Sequence, residues 1–332
     1  MSEKEFDLQN SSNNTNNKII CVVGPTASGK SALAVDIALH FGGEVISCDS
    51  MQVYKNMNIG TAKTTESEMK GVAHHLIDIL DINQKFSVSD YVRLASDCVS
   101  DVQNRGKLPV FCGGTGLYID SFIKGIEFGE YQVDPDLAKK YQEIVSTSGV
   151  ESLHNLLKSL DPESAEKIQP ENVKRVMRAL EVSESTGIPM SRRNRLQLEK
   201  AVKRDALYIG LTFENRSVLY DRINKRVDDM MRAGLLEEAY GLVQSGIESS
   251  PTAGQAIGYK EFYPYFKGEA QLDECVERLK INSRHYAKRQ ITWFSANKEI
   301  MTIAVDSMTK EDVRRRAFEM CERYLDKERQ EK

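Results

Sequence analysis

The chain has 332 residues, 40% hydrophobic and 28% charged, with a formal net charge of −4. At roughly 150 residues per domain this suggests about two domains, with an ordinary balance for a chain that buries a core. No run approaches the ~18 consecutive apolar residues of a membrane span, which excludes an integral helical membrane protein.

Residues 1–18 are rich in Asn, Ser and Glu without an apolar stretch, so they read as a disordered tail and not as a signal or transit peptide. Residues 18–23 (KIICVV) form an apolar, β-branched run that predicts a buried parallel strand. A glycine-containing loop over 24–30 follows, then helical spacing over 31–41 that Gly42 and Gly43 stop. A second strand over 44–48 runs into Asp49 and Ser50, and a third over 108–112 closes in Gly113, Gly114 and Thr115. Residues 205–212 and 299–305 read as further strands of the same sheet. This alternation predicts an α/β fold, a P-loop NTPase-like parallel sheet with helices on both faces.

Between those strands, residues 133–203 lack strand-like runs and read as helices over 135–147, 150–159 and 172–186. They are expected to form an inserted helical subdomain, which divides the core into residues 19–132 and 204–332. Residues 216–246, 269–296 and 309–330 read as three more helices. Cys21, Cys48, Cys98, Cys112, Cys275 and Cys321 lie far apart with no C-x-x-C pair. That pattern fits reduced thiols and a soluble cytoplasmic protein, not a disulfide frame or a zinc site.

The strongest motif is Gly24-Pro25-Thr26-Ala27-Ser28-Gly29-Lys30-Ser31, which fits G-x-x-x-x-G-K-[ST] between a predicted strand and helix. Its glycines let backbone wrap a phosphate, Lys30 supplies a mobile cation, and the Ser31 hydroxyl is suited to hold Mg2+. A nucleotide hydrolase or kinase is the default reading of such a loop. Against hydrolysis, no apolar strand ends in an Asp followed by a Glu suited to polarise water. The acid after the second strand, Asp49, sits where open α/β sheets bind ligands, as a Mg2+ ligand or as a base. The adjacent His74 and His75 read as structural, since neighbours on a strand point to opposite faces.

Net charge hides two basic clusters. Residues 172–226 hold thirteen Lys/Arg against six Asp/Glu, and residues 278–298 hold six against none. Lys174, Arg175 and Arg178 fall on one helical face suited to follow phosphates, and Lys280, Arg284 and Lys288 form a second stripe. The alternative is two solvated helix faces.

Beyond the loop, Asp49-Ser-Met-Gln-Val-Tyr54, Asn58-Ile-Gly-Thr-Ala-Lys63, His74-His-Leu-Ile-Asp78 and Gly113-Gly-Thr115 occur in this order. Arg175-Val-Met-Arg-Ala-Leu-Glu-Val182, Ala256-Ile-Gly-Tyr-Lys-Glu261 and Ala287-Lys-Arg-Gln-Ile-Thr-Trp-Phe294 come behind them. Over about residues 19–296 this series resembles the bacterial tRNA dimethylallyltransferases, also called isopentenyl-diphosphate:tRNA isopentenyltransferases. The resemblance implies transfer of a dimethylallyl group from dimethylallyl diphosphate to N6 of the adenine just 3′ of the anticodon. It implies that the loop residues Gly24 to Ser31 hold the donor's diphosphate with Mg2+ at Ser31, and that ATP is not consumed. Asp49 would be the base for the adenine proton, with Lys30, Thr115 and Arg222 acting on the leaving diphosphate.

On the tRNA side the resemblance implies contacts from Asp49, Ser50, Met51 and Gln52, and from Lys174, Arg175, Val176, Met177 and Arg178. It adds Gln255, Gly258, Tyr259 and Lys260, then Lys288, Arg289, Gln290, Thr292 and Trp293. Trp293, the single tryptophan, reads equally as a core anchor. The partner would be the anticodon stem-loop of tRNA, gripped by the insertion, with a monomer as the simplest assembly. Thr64, Gly254 and Ser283 depart from the usual proline, methionine and threonine, and the zinc finger of eukaryotic relatives has no counterpart after residue 296, which points to a bacterial-type enzyme. Three rivals stay open: an adenylate isopentenyltransferase acting on free nucleotides, a P-loop small-molecule kinase, and a non-catalytic nucleic-acid-binding P-loop protein.

Overall fold

The structure, a computed structural model, describes residues 17–126, 128 and 135–326. The expected tail therefore lies outside the described residues except for Asn17 and Lys18. Lys18 is not part of a loose tail: it is 7% exposed, and its ammonium pairs with Asp205 at 2.8 Å.

Six strands, β1 (Ile19–Val23), β2 (Gly43–Ser47), β3 (His74–His75), β4 (Leu108–Gly113), β5 (Ala206–Thr212) and β6 (Met301–Ala304), make one sheet in the order β3-β2-β4-β1-β5-β6. Every pairing is parallel. β1 shows why its residues are all apolar. Ile19, Cys21 and Val23 enter one buried cluster, while Ile20 and Val22 enter another on the opposite face. A strand covered on both sides has no wet face to spend on polar residues.

On the first face lie α3 (Val88–Asn104) and α4 (Gly116–Ile123), which contribute Tyr91, Ala95, Tyr118 and Phe122. On the second lie α1 (Lys30–Phe41) and the C-terminal helix Lys310–Asp326. The short α2 (Glu66–Met69) starts at a capping box formed by Thr65 and Glu68. β3 is missing from the strands read off apolar runs, because two half-buried histidines carry no apolar signal. His75 is held there by Glu44 at 2.7 Å, and Arg105 grips the same carboxylate. Both histidines thus act in structure.

The chain forms two compact units, one of residues 1–123 with 204–332 and one of residues 124–203. Among the described residues the second has only helices as regular elements: α5 (Pro135–Leu160), α6 (Pro162–Lys167), α7 (Val173–Thr186) and α8 (Met190–Lys200). α5 is interrupted at Gly149, whose φ of 80° is not helical. Tyr141, Leu153, Leu157, Val176, Ala179 and Leu180 form its core. Asp161, 1% exposed, accepts hydrogen bonds from the backbone and hydroxyls of Ser164 and Ser191, tying α6 to α8. Burial alone would raise the Asp161 pKa, but these donors outweigh it and hold the carboxyl below its ordinary value.

After β5 the stretch expected as one helix is two, α9 (Arg216–Arg232) and α10 (Leu235–Gln244). Gly234 takes φ 98° between them, a left-handed position that ends one helix and starts the next. The four-residue α11 (Tyr263–Phe266), the long α12 (Leu272–Ser295) and α13 (Lys310–Asp326) complete the first unit.

Candidate active site

The site is assembled where β1, β2 and β4 end, at the carboxyl edge of the sheet. From β1 the chain enters the loop 24–29 and then α1. Gly29 is the N-cap of α1, and no side chain satisfies the first amides of that helix. Those N–H groups and the helix dipole favour an anion. Within the loop Ser28 is 4% exposed, and its hydroxyl has no hydrogen-bond partner among the described residues. A phosphate oxygen is the chemistry that would satisfy it. Lys30 is half-buried with its ammonium 3.3 Å from the Pro25 carbonyl. Burial lowers the Lys30 pKa and nearby Arg226 adds to this, while Cys112 and Asp49 oppose it.

β2 delivers Asp49. Its Oδ1 accepts the amides of Met51 at 2.9 Å and Gln52 at 3.3 Å, and its Oδ2 has no hydrogen bond among the described residues. β4 brings Thr115 to the same place. The Cys48 amide donates to the Cys112 carbonyl at 2.8 Å, and the Thr115 amide donates to the Cys48 carbonyl at 3.1 Å. Only glycine fits at 113, where a Cβ would stand 2.3 Å from the Cys48 carbonyl oxygen. The Thr115 Oγ1 then accepts the Ser50 amide at 3.2 Å. Between loop and acid sits Cys112, whose thiol burial pushes up to about 11. Lys30 and the Ser31 hydroxyl pull it down, and Asp49 pushes it further up. That set of neighbours places Lys30, Ser31 and Asp49 around one buried thiol.

Arg222 makes no hydrogen bond or ion pair with this loop among the described residues. It is exposed, its charge acts on Asp306, and its guanidinium lies 5.1 Å from the ring centroid of Phe213, which packs in one cluster with Ala27 of the loop. Arg226, one turn on, is the α9 arginine at the site. It is half-buried, and its Nη1 lies 3.4 Å from the Thr26 Oγ1. Burial lowers the Arg226 pKa while Asp49 supports the charge. Sequence reasoning missed Tyr286 as well. Its hydroxyl lies beside Thr115 and Gln290, and burial followed by the charge of Asp49 raises its pKa.

The segment after Asp49 is held by side chains from far along the chain. The Gln52 amide donates to the carbonyls of Thr61 and Ala62 and accepts from the Ser47 hydroxyl. Glu238 accepts the amides of Asn58, Ile59 and Gly60 and the Tyr259 hydroxyl at 2.7 Å. Tyr259 is therefore buried in structure, and Gly258 packs against Gly60. Ser50, Met51 and Gln52 are half-buried beside Asp49.

The remaining residues expected on the tRNA side separate by burial. Lys174, Arg175 and Arg178 are exposed on α7 in the second unit. Val176 is fully buried in the core of that unit, and Met177 packs against it, so neither side chain shares the exposed face of its basic neighbours. Gln255, Lys288, Arg289 and Thr292 are exposed and Lys260 is partly so. Gln290 is 4% exposed and faces the interior. Trp293 is not a core anchor: it lies over Gly116, donates to Asp120 at 3.2 Å, and leaves 40% of its surface open. The basic stripe on α12 is largely engaged. Lys280 pairs with Asp228 at 2.8 Å and Glu277 at 3.1 Å, and Arg284 donates to Asn224 at 2.6 Å.

No cluster of three His, Cys, Asp or Glu suited to a metal occurs among the described residues. A protein cage for a metal is thus lacking there, but Mg2+ is commonly held by one or two protein oxygens together with substrate phosphate and water. The Ser31 hydroxyl and the uncommitted Asp49 oxygen are donors of that kind.

Comparisons with known proteins address the chain as a whole. The IPP transferase family profile matches residues 52–297. A tRNA dimethylallyltransferase of Bacillus subtilis is 47% identical over 306 residues, covering 90% of this chain and 95% of that one. One from Geobacillus thermodenitrificans is 50% identical over 277 residues, covering 83% and 87%. Among solved structures, the full-length tRNA isopentenylpyrophosphate transferase of Bacillus halodurans aligns with a TM-score of 0.71 at 41% identity, over 95% of this chain and 98% of that one. A eukaryotic dimethylallyltransferase acting on tRNA aligns at 0.80 and 29% identity, over 93% and 79%. Loop, acid and threonine meet at one sheet edge, and sequence and fold are shared with these relatives over most of their length, so the chain belongs to the IPP transferase family.

Proposed function

We propose that the protein transfers a dimethylallyl group from dimethylallyl diphosphate to N6 of the adenine immediately 3′ of the anticodon in tRNA. The observation that carries this reading is the placement of Asp49, with one free carboxylate oxygen, beside the phosphate loop, Lys30 and Arg226. A base next to an anion-binding loop, with no water-polarising acid at the end of β4, suits transfer of an allylic group better than hydrolysis of a phosphate.

In the step, the N6 nitrogen forms a bond to C1 of the allylic group as the C1–O bond breaks. The bonding pair leaves with the diphosphate, and the N6 proton passes to the Asp49 carboxylate. Adenine N6 is a weak nucleophile because its lone pair is delocalised into the ring, so a base at that proton lowers the barrier. Charge grows on the leaving diphosphate, and donors already aimed at it stabilise that charge. Lys30, Arg226, the first amides of α1 and the Ser28 and Thr115 hydroxyls would do so, a reading supported by the uncapped start of α1, the unpartnered Ser28 hydroxyl and the approach of Arg226 to Thr26. Mg2+ held by Ser31 and the phosphates would add charge neutralisation when bound.

The target base must leave the anticodon stack to reach Asp49. The exposed Lys174, Arg175 and Arg178 on α7 would follow tRNA phosphates, and Lys288, Arg289 and Thr292 offer a second contact surface. With such a substrate the protein acts in the cytoplasm, with a monomer as the simplest working unit. No helix of the described residues is long and apolar enough to cross a membrane.

The test incubates purified protein with Mg2+, labelled dimethylallyl diphosphate and either unmodified tRNA or AMP. Label at the adenine beside the anticodon is the expected result. Label on AMP alone moves the protein to the free-nucleotide branch, and no label on either refutes prenyl transfer.

A further inference from the structure

The resemblance to the tRNA dimethylallyltransferases assigns Gln290 to the tRNA, but its position in the fold assigns it to the other substrate. Its side chain is 4% exposed and points from α12 into the space between two active-site turns. Its Oε1 accepts the Thr26 amide of the phosphate loop at 2.8 Å, and its Nε2 donates to the Gly114 carbonyl at 3.1 Å. One end of the amide meets a donor and the other an acceptor, so only one orientation satisfies both. The partners are 264 and 176 residues away in sequence. Gly114 shows how closely the amide is seated, since a Cβ there would stand 1.8 Å from the Gln290 nitrogen. Thr26 is held on its other side by Arg226.

We propose that Gln290 is a positioning residue for the prenyl donor: a two-ended strap that sets the phosphate loop against the Gly113-Gly114-Thr115 turn. This rests on the reading of the loop as the diphosphate site. The strap makes no contact with tRNA. It fixes the distance between the amides that receive the diphosphate and the Thr115 hydroxyl on the far side of the site. The same helix presents Lys288, Arg289 and Thr292 outward, so one turn of α12 serves the donor on its inner face and the solvent on its outer face.

The full-length protein is titrated with inorganic pyrophosphate and Mg2+ by calorimetry, and separately with tRNA over a salt series. Gln290→Leu, which removes both hydrogen bonds at similar size, is expected to weaken pyrophosphate binding about tenfold. It should raise the KM for dimethylallyl diphosphate by a similar factor, leaving the KM for tRNA and the salt slope of tRNA binding unchanged. Gly114→Ala, whose Cβ would displace the amide while Gln290 itself is not replaced, should reproduce the loss. Combined with Gln290→Ala it should add little more, because both changes break one strap. Unchanged pyrophosphate affinity in Gln290→Leu overturns the proposal, as does loss of tRNA affinity with pyrophosphate binding intact, or full additivity with Gly114→Ala. Because the primary readout is anion binding, failure of prenyl transfer to tRNA would appear in the labelling experiment and not here.

Discussion

Two helices of this protein carry basic stripes that look alike in sequence and differ in structure. On α7, Lys174 and Arg175 are exposed and have no ion pair among the described residues. On α12, Lys280 is held between Asp228 and Glu277 and Arg284 is bonded to Asn224, so those cations stitch α12 to α9. Helical spacing tells which side chains share a face, but whether that face meets water or another helix depends on packing. A cation with an internal carboxylate partner has little left for a phosphate. A cation left in solvent keeps its full charge for one.

The same division between groups with internal partners and groups without them orders the expected effects of substitution. The largest belongs to Asp49, whose Oδ2 is uncommitted while its Oδ1 caps the next turn. Asp49→Asn keeps that cap and removes the base, and turnover is expected to fall about 10²–10⁴-fold with tRNA affinity retained. A variant at full rate would take Asp49 out of the mechanism.

Glu44 is the opposite case, a carboxylate wholly engaged by Arg105 and His75. The Arg105 hydrogen bonds, outweighing burial and aided by His75, lower its pKa from 4.5 to about 2. A depressed carboxyl pKa stabilises the fold above its unfolded value, and this is lost as pH falls through the folded value. Glu44→Gln should therefore lower the thermal midpoint by a few degrees at pH 7, and the gap to wild type should close between about pH 4.5 and 2. A gap that persists at the acid end would place the effect in packing and not in charge.

The smallest effects compare the two stripes directly. Replacing Lys174 and Arg175 by Ala should weaken tRNA binding several-fold and flatten its salt dependence by about one to two units of slope, without changing the thermal midpoint. Lys280→Ala should do the reverse, lowering the midpoint slightly and leaving the slope alone. Equal slopes in both variants would erase the distinction drawn between α7 and α12.

Arg222 and Arg226 show how far the site was legible in sequence. Both lie on one face of α9, four residues apart, and four residues of helix are about 6 Å of rise. The pattern Tyr220-Asp-Arg-Ile-Asn-Lys-Arg226 places an arginine near the loop, but it does not say which turn stands level with Thr26. The interior partners of Gln290, and Tyr286 altogether, were hidden for a related reason. A polar residue on a long helix reads as solvent-facing unless the interior supplies partners, and here those partners come from residues 26, 114 and 115. The place of β3 in the sheet was not legible, because two histidines held by Glu44 and a backbone carbonyl leave no periodic apolar trace.

What the sequence determined by itself is local. The run before Gly24 had to be a covered strand because its residues Ile19 to Val23 are apolar, and the glycines and Lys30 of the loop behind it are what make that loop readable as a phosphate cradle. Asp49 at the end of a strand, Thr115 after two glycines and the helices between Pro135 and Lys200 follow from the same short-range chemistry. Tertiary structure alone decided which polar groups are spent inside the protein and which are left for a substrate. That outcome depends on donors and acceptors hundreds of residues apart meeting within 3 Å, a distance that chain connectivity does not set and packing does.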